Sequence, residues 1–524
     1  MANKNLFKSL IGALAPATDT INAHAAPAYA FDDRHALAQL AATGCLTDVF
    51  YADAETQLQE VLKRMETVSP EFTAKCAIYA RERGFMKDMP ALLCAALASK
   101  APELLPVVFA RVIDSPRMLR NFVQIIRSGQ TGRKSLGSRP KRLVREWLES
   151  RSEAELFRAA IGENPSLADI VRMVHPRPQD KTREAFYGWL LGQPHEAAAL
   201  PEVVQTWEAF KADPASHEVP DVPFQYLSSL SIGEREWAQI ACRCSWQTLR
   251  MNLNTFQRQG VFKDPQRVKA LAERLRDPRE VRKARVFPYQ LLAAYKHASP
   301  DLPGVLREAL QEALDAAIAN VPELAGKVYV FPDVSGSMQS PVTGTRPGAT
   351  SAVRCVDVAA LVAASVLSRS REAEVIPFEN DVVSCRLNPR DSVLTNAEKL
   401  AALGGGGTNC SAPLVQLNRR KAKGDLIIYV SDNQSWVDTV VNPGSPTATM
   451  VAWHEFKARN PQARMVCVDI QPYTTAQAKP GPDVLHVAGF SDAVFDLIAA
   501  VAAGQAGADH WLREIEAISL ETGS

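Results

Sequence analysis

From Lys327 onward the chain alternates short, almost unbroken apolar runs with helix-spaced segments, and this alternation limits its fold more than any other feature. The runs fall at 327–332, 373–378, 426–431 and 464–470, with a further one at 484–487. Helical patterns lie between them, such as Val356 to Ser368 and Thr449 to Arg459. A strand that is apolar on both faces must be covered on both, and parallel neighbours need long crossovers, usually helices. The expected fold of this half is therefore an α/β doubly wound parallel sheet. Such sheets bind ligands outside the carboxyl ends of their strands.

Up to about Ala325 the grammar is helix after helix. Leu58, Val61, Leu62 and Met65 recur at helical spacing. So do Met118, Leu119, Phe122, Val123 and Ile126, and then Val305, Leu306, Ala309, Leu310, Ala313, Leu314 and Ile318. Ser69-Pro70, Ala101-Pro102, Ser115-Pro116, Asp264-Pro265 and Asp277-Pro278 place a cap or a proline where a new helix can begin. Many helices on short turns suit stacked antiparallel pairs, as in α-solenoids, although no repeat of fixed period is visible. A chain of 524 residues exceeds one hydrophobic core. The expected organisation is an N-terminal arm over 1–30, an all-α helical-repeat domain over 31–325, an α/β domain over 326–505 and a tail over 506–524.

No apolar run reaches the roughly 18 residues of a membrane span. The apolar patch from Leu6 to Leu14 is broken by Lys8, Ser9 and Gly12, so an extended arm packing on the first domain is expected in place of a secretory signal. Nine cysteines, an odd number without any Cys-x-x-Cys, point to a cytoplasmic protein with free thiols.

The turn after the first strand reads Asp333-Val334-Ser335-Gly336-Ser337. One carboxylate and two hydroxyls at a strand end can aim three hard oxygens at one point, a donor set that suits Mg²⁺. Thr408 follows the run Gly404 to Gly407, and Asp432 follows the strand Leu426 to Ser431. Together these residues resemble the metal-ion-dependent adhesion site of von Willebrand factor A domains. By that resemblance Ser335 and Ser337 bind the cation directly, Thr408 directly or through water, and Asp333 and Asp432 mainly through water.

The net charge of +1 provides no global field, so any surface for a polyanion must come from local segregation. Arg111 to Arg145 supplies one: Arg117, Arg120, Arg127, Arg133, Lys134, Arg139, Lys141 and Arg142 lie in a stretch whose single acid is Asp114. Arg117, Arg120, Gln124 and Arg127 fall opposite the apolar stripe of their helix, followed by the donor-rich loop Ser128 to Ser135. Guanidinium forks, amides and free backbone N–H groups are what a phosphate backbone requires. Lys263 to Arg285 is also basic, with nine bases against four acids, and reads equally well as a solvated helix face. No Walker A motif and no nucleophile–base constellation is present, so no catalysis is expected.

The chain resembles the TROVE proteins, the family of the Ro ribonucleoprotein autoantigen and its bacterial relatives. The resemblance is carried by Asp169-Ile170-Val171-Arg172 with His175-Pro176-Arg177-Pro178, by the basic segment from Arg117 to Trp147, and by Lys283 to Gln290. In the α/β half it is carried by Asp333 to Met338, Gly406 to Cys410 and Ser431-Asp432-Asn433. It implies a monomeric ring of HEAT-like helical repeats closed by a von Willebrand factor A-like domain. Y-type noncoding RNA would bind a basic outer face, with Arg172, His175 and Arg177 at that surface. Single-stranded 3′ ends of structured or misfolded RNA would enter a central hole, in RNA quality control, and the Y-type RNA would tether an exoribonuclease. Gly162-Glu163-Asn164 stand where animal members are basic, and Phe287 replaces a histidine, which puts individual contacts in question.

A second reading is a protein-interaction scaffold whose cation captures an acidic residue of a partner. The basic excess of Arg111 to Arg145 favours RNA, since an adaptor does not need it. A Mg²⁺ nuclease is the weakest reading, because two-metal hydrolysis uses clustered carboxylates.

Overall fold

The structure is a computed structural model that describes residues 15–284, 286, 288–318, 321–345, 353–437, 445–489, 492–505 and 509–521. The chain forms two compact units. One draws on the chain up to Met89, the short piece Phe287–Ala293 and the stretch Ala317–Ser519; the other takes Pro90–Val286, Ala294–Ala316 and the end from Leu520.

The first unit holds eight strands among its described residues: β1 (Thr20–Ile21), β2 (Pro27–Ala30), β3 (Val328–Pro332), β4 (Ala373–Val375), β5 (Leu426–Ser431), β6 (Arg464–Asp469), β7 (Thr475–Ala476) and β8 (Val484–Ala488). Five of them form a parallel sheet in the order β4-β3-β5-β6-β8. Every residue of β3, β5 and β8 is buried, which is why these strands read as unbroken apolar runs. Phe331 and Tyr429 meet edge to face at 4.9 Å within a core that also takes Phe378, Trp453 and Phe456. Burying each such ring contributes about 1.5–3 kcal/mol. The helices Cys355–Arg369 and Ala448–Arg459 lie where the sequence places them. β4 is shorter than 373–378 because Pro377 has no N–H to give, although Ile376 and Phe378 still donate to Val330 and Pro332 at 2.8 and 3.2 Å.

The described part of the N-terminal arm does not pack as expected. β2 pairs with β7, Tyr29 against Ala476 and Ala30 against Thr475, and so joins the C-terminal α/β region. Tyr29 is fully buried in the same apolar cluster as Phe331 and Trp453, which supplies the driving force. The helices that follow, α1 (Asp33–Thr43), α2 (Ala54–Thr67) and α3 (Pro70–Glu82), belong to this unit as well. α1 is buried from His35 to Thr43 and packs against β8. His510–Glu516 is likewise a helix docked on α3 through the buried Trp511, where the sequence suggested only a tail.

The second unit has helices and no strand among its described residues. It contains α4 (Asp88–Lys100, shared with the first unit at its start), α5 (Leu105–Val112), α6 (Pro116–Arg127), α7 (Ser138–Glu149), α8 (Glu153–Ala159), α9 (Leu167–Val174) and α10 (Lys181–Leu191), with further helices up to Val286 and over Ala294–Ala316. Ser115 caps α6 and Pro116 occupies its first turn; Asp264 and Pro265 do the same for Pro265–Arg276. α6 buries Met118, Leu119, Phe122, Val123 and Ile126, the stripe its spacing predicts. Trp147 in α7 donates to the Ile113 carbonyl at 2.8 Å, and α6 and α7 both pack on α9.

Candidate metal centre and nucleic-acid interface

The sheet order reverses direction between β3 and β5, and this is where an open α/β sheet leaves a crevice at its carboxyl edge. Asp333 is the first residue beyond β3 and Asp432 the first beyond β5, so both carboxyls arrive at that crevice. Asp333, Ser335, Ser337, Thr408 and Asp432 are all buried. The hydroxyls of Ser335 and Ser337 lie 3.3 Å apart. One Asp333 oxygen accepts from the Ser335 N–H at 2.9 Å, and the other from the Ser431 hydroxyl at 2.6 Å. An Asp432 oxygen accepts from the Gln434 N–H at 3.2 Å, and the Ser337 hydroxyl lies beside this carboxyl.

The glycine run is what allows Thr408 to join them. Gly336 donates to the Gly406 carbonyl at 2.8 Å and Gly405 to the Val334 carbonyl at 3.0 Å, so the two loops touch backbone to backbone. Gly404 adopts φ +80°, and a Cβ there would run into the Val334 carbonyl. The loop is a close-packing device and not a phosphate cradle.

Two buried carboxyls side by side carry an electrostatic cost in the absence of a cation. Burial, and then the neighbouring Asp432, push Asp333 up to about 7; burial also raises Asp432. Among the described residues no group of three or more His, Cys, Asp or Glu side chains could hold a metal. A cation centre here therefore depends on hydroxyls with two carboxylates. That all-oxygen, doubly acidic set fits a small hard divalent cation, whose charge would offset the buried pair.

This predicts an unusual pH dependence. The folded-state pKa of Asp333 lies above its ordinary value of 3.8, so the folded protein binds this proton more tightly than the unfolded chain. The contribution is fully present below about pH 4 and is lost as pH rises through about 7. In chelator, the thermal midpoint of the wild type should fall across that window relative to Asp333→Asn. A parallel pair of pH profiles would contradict the assignment.

The predicted RNA-facing residues divide by environment. Arg117, Gln124 and Arg127 are exposed on α6, and Lys134 and Arg139 are exposed on the loop into α7 and its first turn. Arg133, Lys134 and Arg139 line a cavity of about 520 Å³ at the start of α7, together with Ser135, Gly137 and Ser138. Gly137 caps α7 without a side chain, so the N–H groups of the first turn are not answered by a capping side chain. Lys141 is half-buried, and Arg142 pairs with Glu146 at 3.4 Å. Arg172 donates to Asp169 at 3.2 Å, and Arg177 is exposed. His175 is exposed in the left-handed region at φ +47°, closing α9 by donating its N–H to Val171 at 2.9 Å.

Arg120 departs from the expected role. Its guanidinium donates to the Ala159 carbonyl at 3.2 Å and packs over Gly162, so it closes the end of α8. Burial, with Arg117 nearby, lowers its pKa, the mark of a cation partly withdrawn from water. Gly162, singled out by the sequence as a departure, is what accommodates it. Arg145 is similarly engaged, donating to the Val174 carbonyl at 2.8 and 3.2 Å. Arg285 and Phe287 lie outside the described residues.

The sequence did not point to the aromatic side chains near the candidate metal centre: His24, Tyr51, Trp436 and Tyr473. No local pattern marks them, since they come from segments far apart in the chain.

Residues 327–502 match the model of the Ro60 vWA domain. The chain is similar to the RNA-binding protein RO60 of Deinococcus radiodurans, 24% identical over 361 residues, which are 65% of this chain and 66% of that one. It is also similar to the RNA-binding protein RO60 of Caenorhabditis elegans, 25% identical over 257 residues, 45% of this chain and 36% of that one. The matched stretch is thus less than two thirds of either relative. The crystal structure of the Deinococcus radiodurans RO (RSR) protein shares the fold, with a TM-score of 0.63 at 20% identity, covering 91% of this chain and all of that one.

Proposed function

We propose, from the match of residues 327–502 to the Ro60 vWA domain, that the chain is an RNA-binding protein whose helical half provides the RNA surface. The observation that carries this reading is the basic face of α6 with the cavity at the start of α7, where exposed arginine and lysine side chains meet the N–H groups of a helix start. Backbone phosphates are recognised by this combination without reading base edges. The finer reading is Y-type noncoding RNA on this face, with His175 and Arg177 beside it. Single-stranded 3′ ends of structured or misfolded RNA would be taken up in the opening of a helical ring, in RNA quality control, with an exoribonuclease tethered through the Y-type RNA. The same reading gives the protein no catalytic step, a cytoplasmic location and a monomeric state. Among the described residues no helix is long and apolar enough to cross a membrane.

For the metal centre we propose Mg²⁺, held directly by Ser335 and Ser337, directly or through water by Thr408, and mainly through water by Asp333 and Asp432. Exposed Trp436 and Val437 beside this centre favour, as a second reading, a scaffold that docks a partner's acidic residue there.

Structured RNA with a single-stranded 3′ tail should bind at least about tenfold more tightly than blunt duplex of equal length, with affinity falling steeply with salt. The measurement is a filter-binding or fluorescence-anisotropy titration at two salt concentrations. Equal affinity for tailed and blunt RNA would remove the 3′-end reading. Affinity insensitive to salt would remove the phosphate surface.

A further inference from the structure

The N-terminal segment lies on two sides of the Asp333–Asp432 centre. On one side the Asn22 side-chain amide donates to the Ser435 carbonyl at 2.6 Å, and the Ala23 N–H donates to the Gln434 side chain at 3.1 Å. On the other, the Thr47 hydroxyl donates to the Thr343 carbonyl at 2.6 Å, and the Thr345 N–H donates to the Asp48 carbonyl at 2.7 Å. Both anchor points are loops that leave the centre: 434–435 follow Asp432, and 343–345 follow Ser337.

Between the anchors the two segments meet. His24 Nε2 and the Tyr51 hydroxyl are hydrogen-bonded at 2.7 Å. The His24 ring lies 5.1 Å from Trp436, whose backbone N–H donates to the Thr408 carbonyl at 3.0 Å. The Tyr51 ring sits edge-on to Tyr473 at 5.4 Å, and its N–H donates to the Tyr473 hydroxyl at 3.1 Å. The Tyr51 hydroxyl lies beside Ser337 and faces the Asp432 and Asp333 carboxyls. A hydroxyl in this position adds one more oxygen to a centre made of hydroxyls and carboxylates.

We propose that Tyr51 is an intrachain occupant of the metal centre. With a divalent cation bound, its hydroxyl fills the side that the five other residues leave open, and an outside carboxylate gains the cation only by displacing it. The cation then also ties the segments 22–24 and 47–51 to the sheet edge. A hydroxyl is a weaker ligand for a hard cation than a carboxylate, so the arrangement is displaceable. This inference rests on reading Asp333, Ser335, Ser337, Thr408 and Asp432 as a cation site.

The test uses the full chain, titrated with Mn²⁺ followed by electron paramagnetic resonance, with and without sodium acetate as the carboxylate probe. Tyr51→Phe should bind Mn²⁺ about fivefold more weakly than wild type, the scale expected for removing a single hydroxyl ligand. Acetate should raise the affinity of the variant more than that of the wild type, where it must first displace Tyr51. Hydrogen exchange on the unaltered protein, which needs no variant, should slow at 47–51 when Mg²⁺ is added. Equal Mn²⁺ affinity of both chains, equal acetate responses, or exchange at 47–51 indifferent to Mg²⁺ would overturn the role of Tyr51. Absence of Mn²⁺ binding by the wild type would overturn the cation site itself, and is seen before any variant is compared.

Discussion

Asp333→Asn should erase the stabilisation that Mg²⁺ gives the wild type. The asparagine keeps the volume and an acceptor for the Ser335 N–H, which the native side chain binds at 2.9 Å, so the loop retains its main anchor. What it removes is one of two charges in a buried site, and with it the electrostatic reason for a cation to enter. For the wild type, a ligand at a hundred times its dissociation constant adds about 2.7 kcal/mol by mass action. Differential scanning fluorimetry of both chains across a Mg²⁺ series gives the answer. The wild-type midpoint should climb with concentration and the variant's should stay flat. In chelator above about pH 7 the variant should be no less stable than the wild type, because the buried pair is then ionised in the wild type only. A variant that still climbs with Mg²⁺ would show that the cation, if any, binds elsewhere. Asp333→Ala is a poorer choice: it strands the Ser431 hydroxyl and the Ser335 N–H, and each stranded buried group costs about 1–3 kcal/mol.

The second large effect is expected on RNA. Replacing Arg117, Arg127 and Lys134 together by Ala should lower affinity at least about tenfold at moderate salt and reduce the salt slope by about three, near one unit for each phosphate no longer neutralised. All three side chains are exposed, off the buried stripe of α6. The variant should therefore unfold at the wild-type temperature. Arg120 is left in place because it holds the Ala159 carbonyl, and removing it would mix a structural cost with a binding one. Wild-type affinity and slope in the triple variant would place the RNA-binding surface elsewhere.

Helix starts, strand positions and the strand-end turns that carry Asp333 and Asp432 were legible in the sequence because each is set by local chemistry. Ser115 caps α6 and Pro116 fits its first turn whatever lies around them. β3 and β5 announce themselves because a strand covered on both faces must be apolar at every position. Asp333 and Asp432 could be named in advance because each follows directly on an apolar strand, and open parallel sheets bind ligands beyond the carboxyl ends of their strands; that β3 and β5 are neighbours was decided by the fold. The contrast lies with side chains whose role depends on a distant carbonyl or hydroxyl. Arg120 and Arg127 share one helix face in the sequence, yet only the fold brings the Ala159 carbonyl under Arg120. β2 finds its partner in β7, at the far end of the chain, since a two-sided hydrogen-bonding edge does not encode which strand will meet it. Tyr51 comes to lie beside Ser337 in the same way. Periodicity and caps are written in neighbouring residues, whereas the pairing of remote segments is decided by how much apolar surface the whole unit can bury at once.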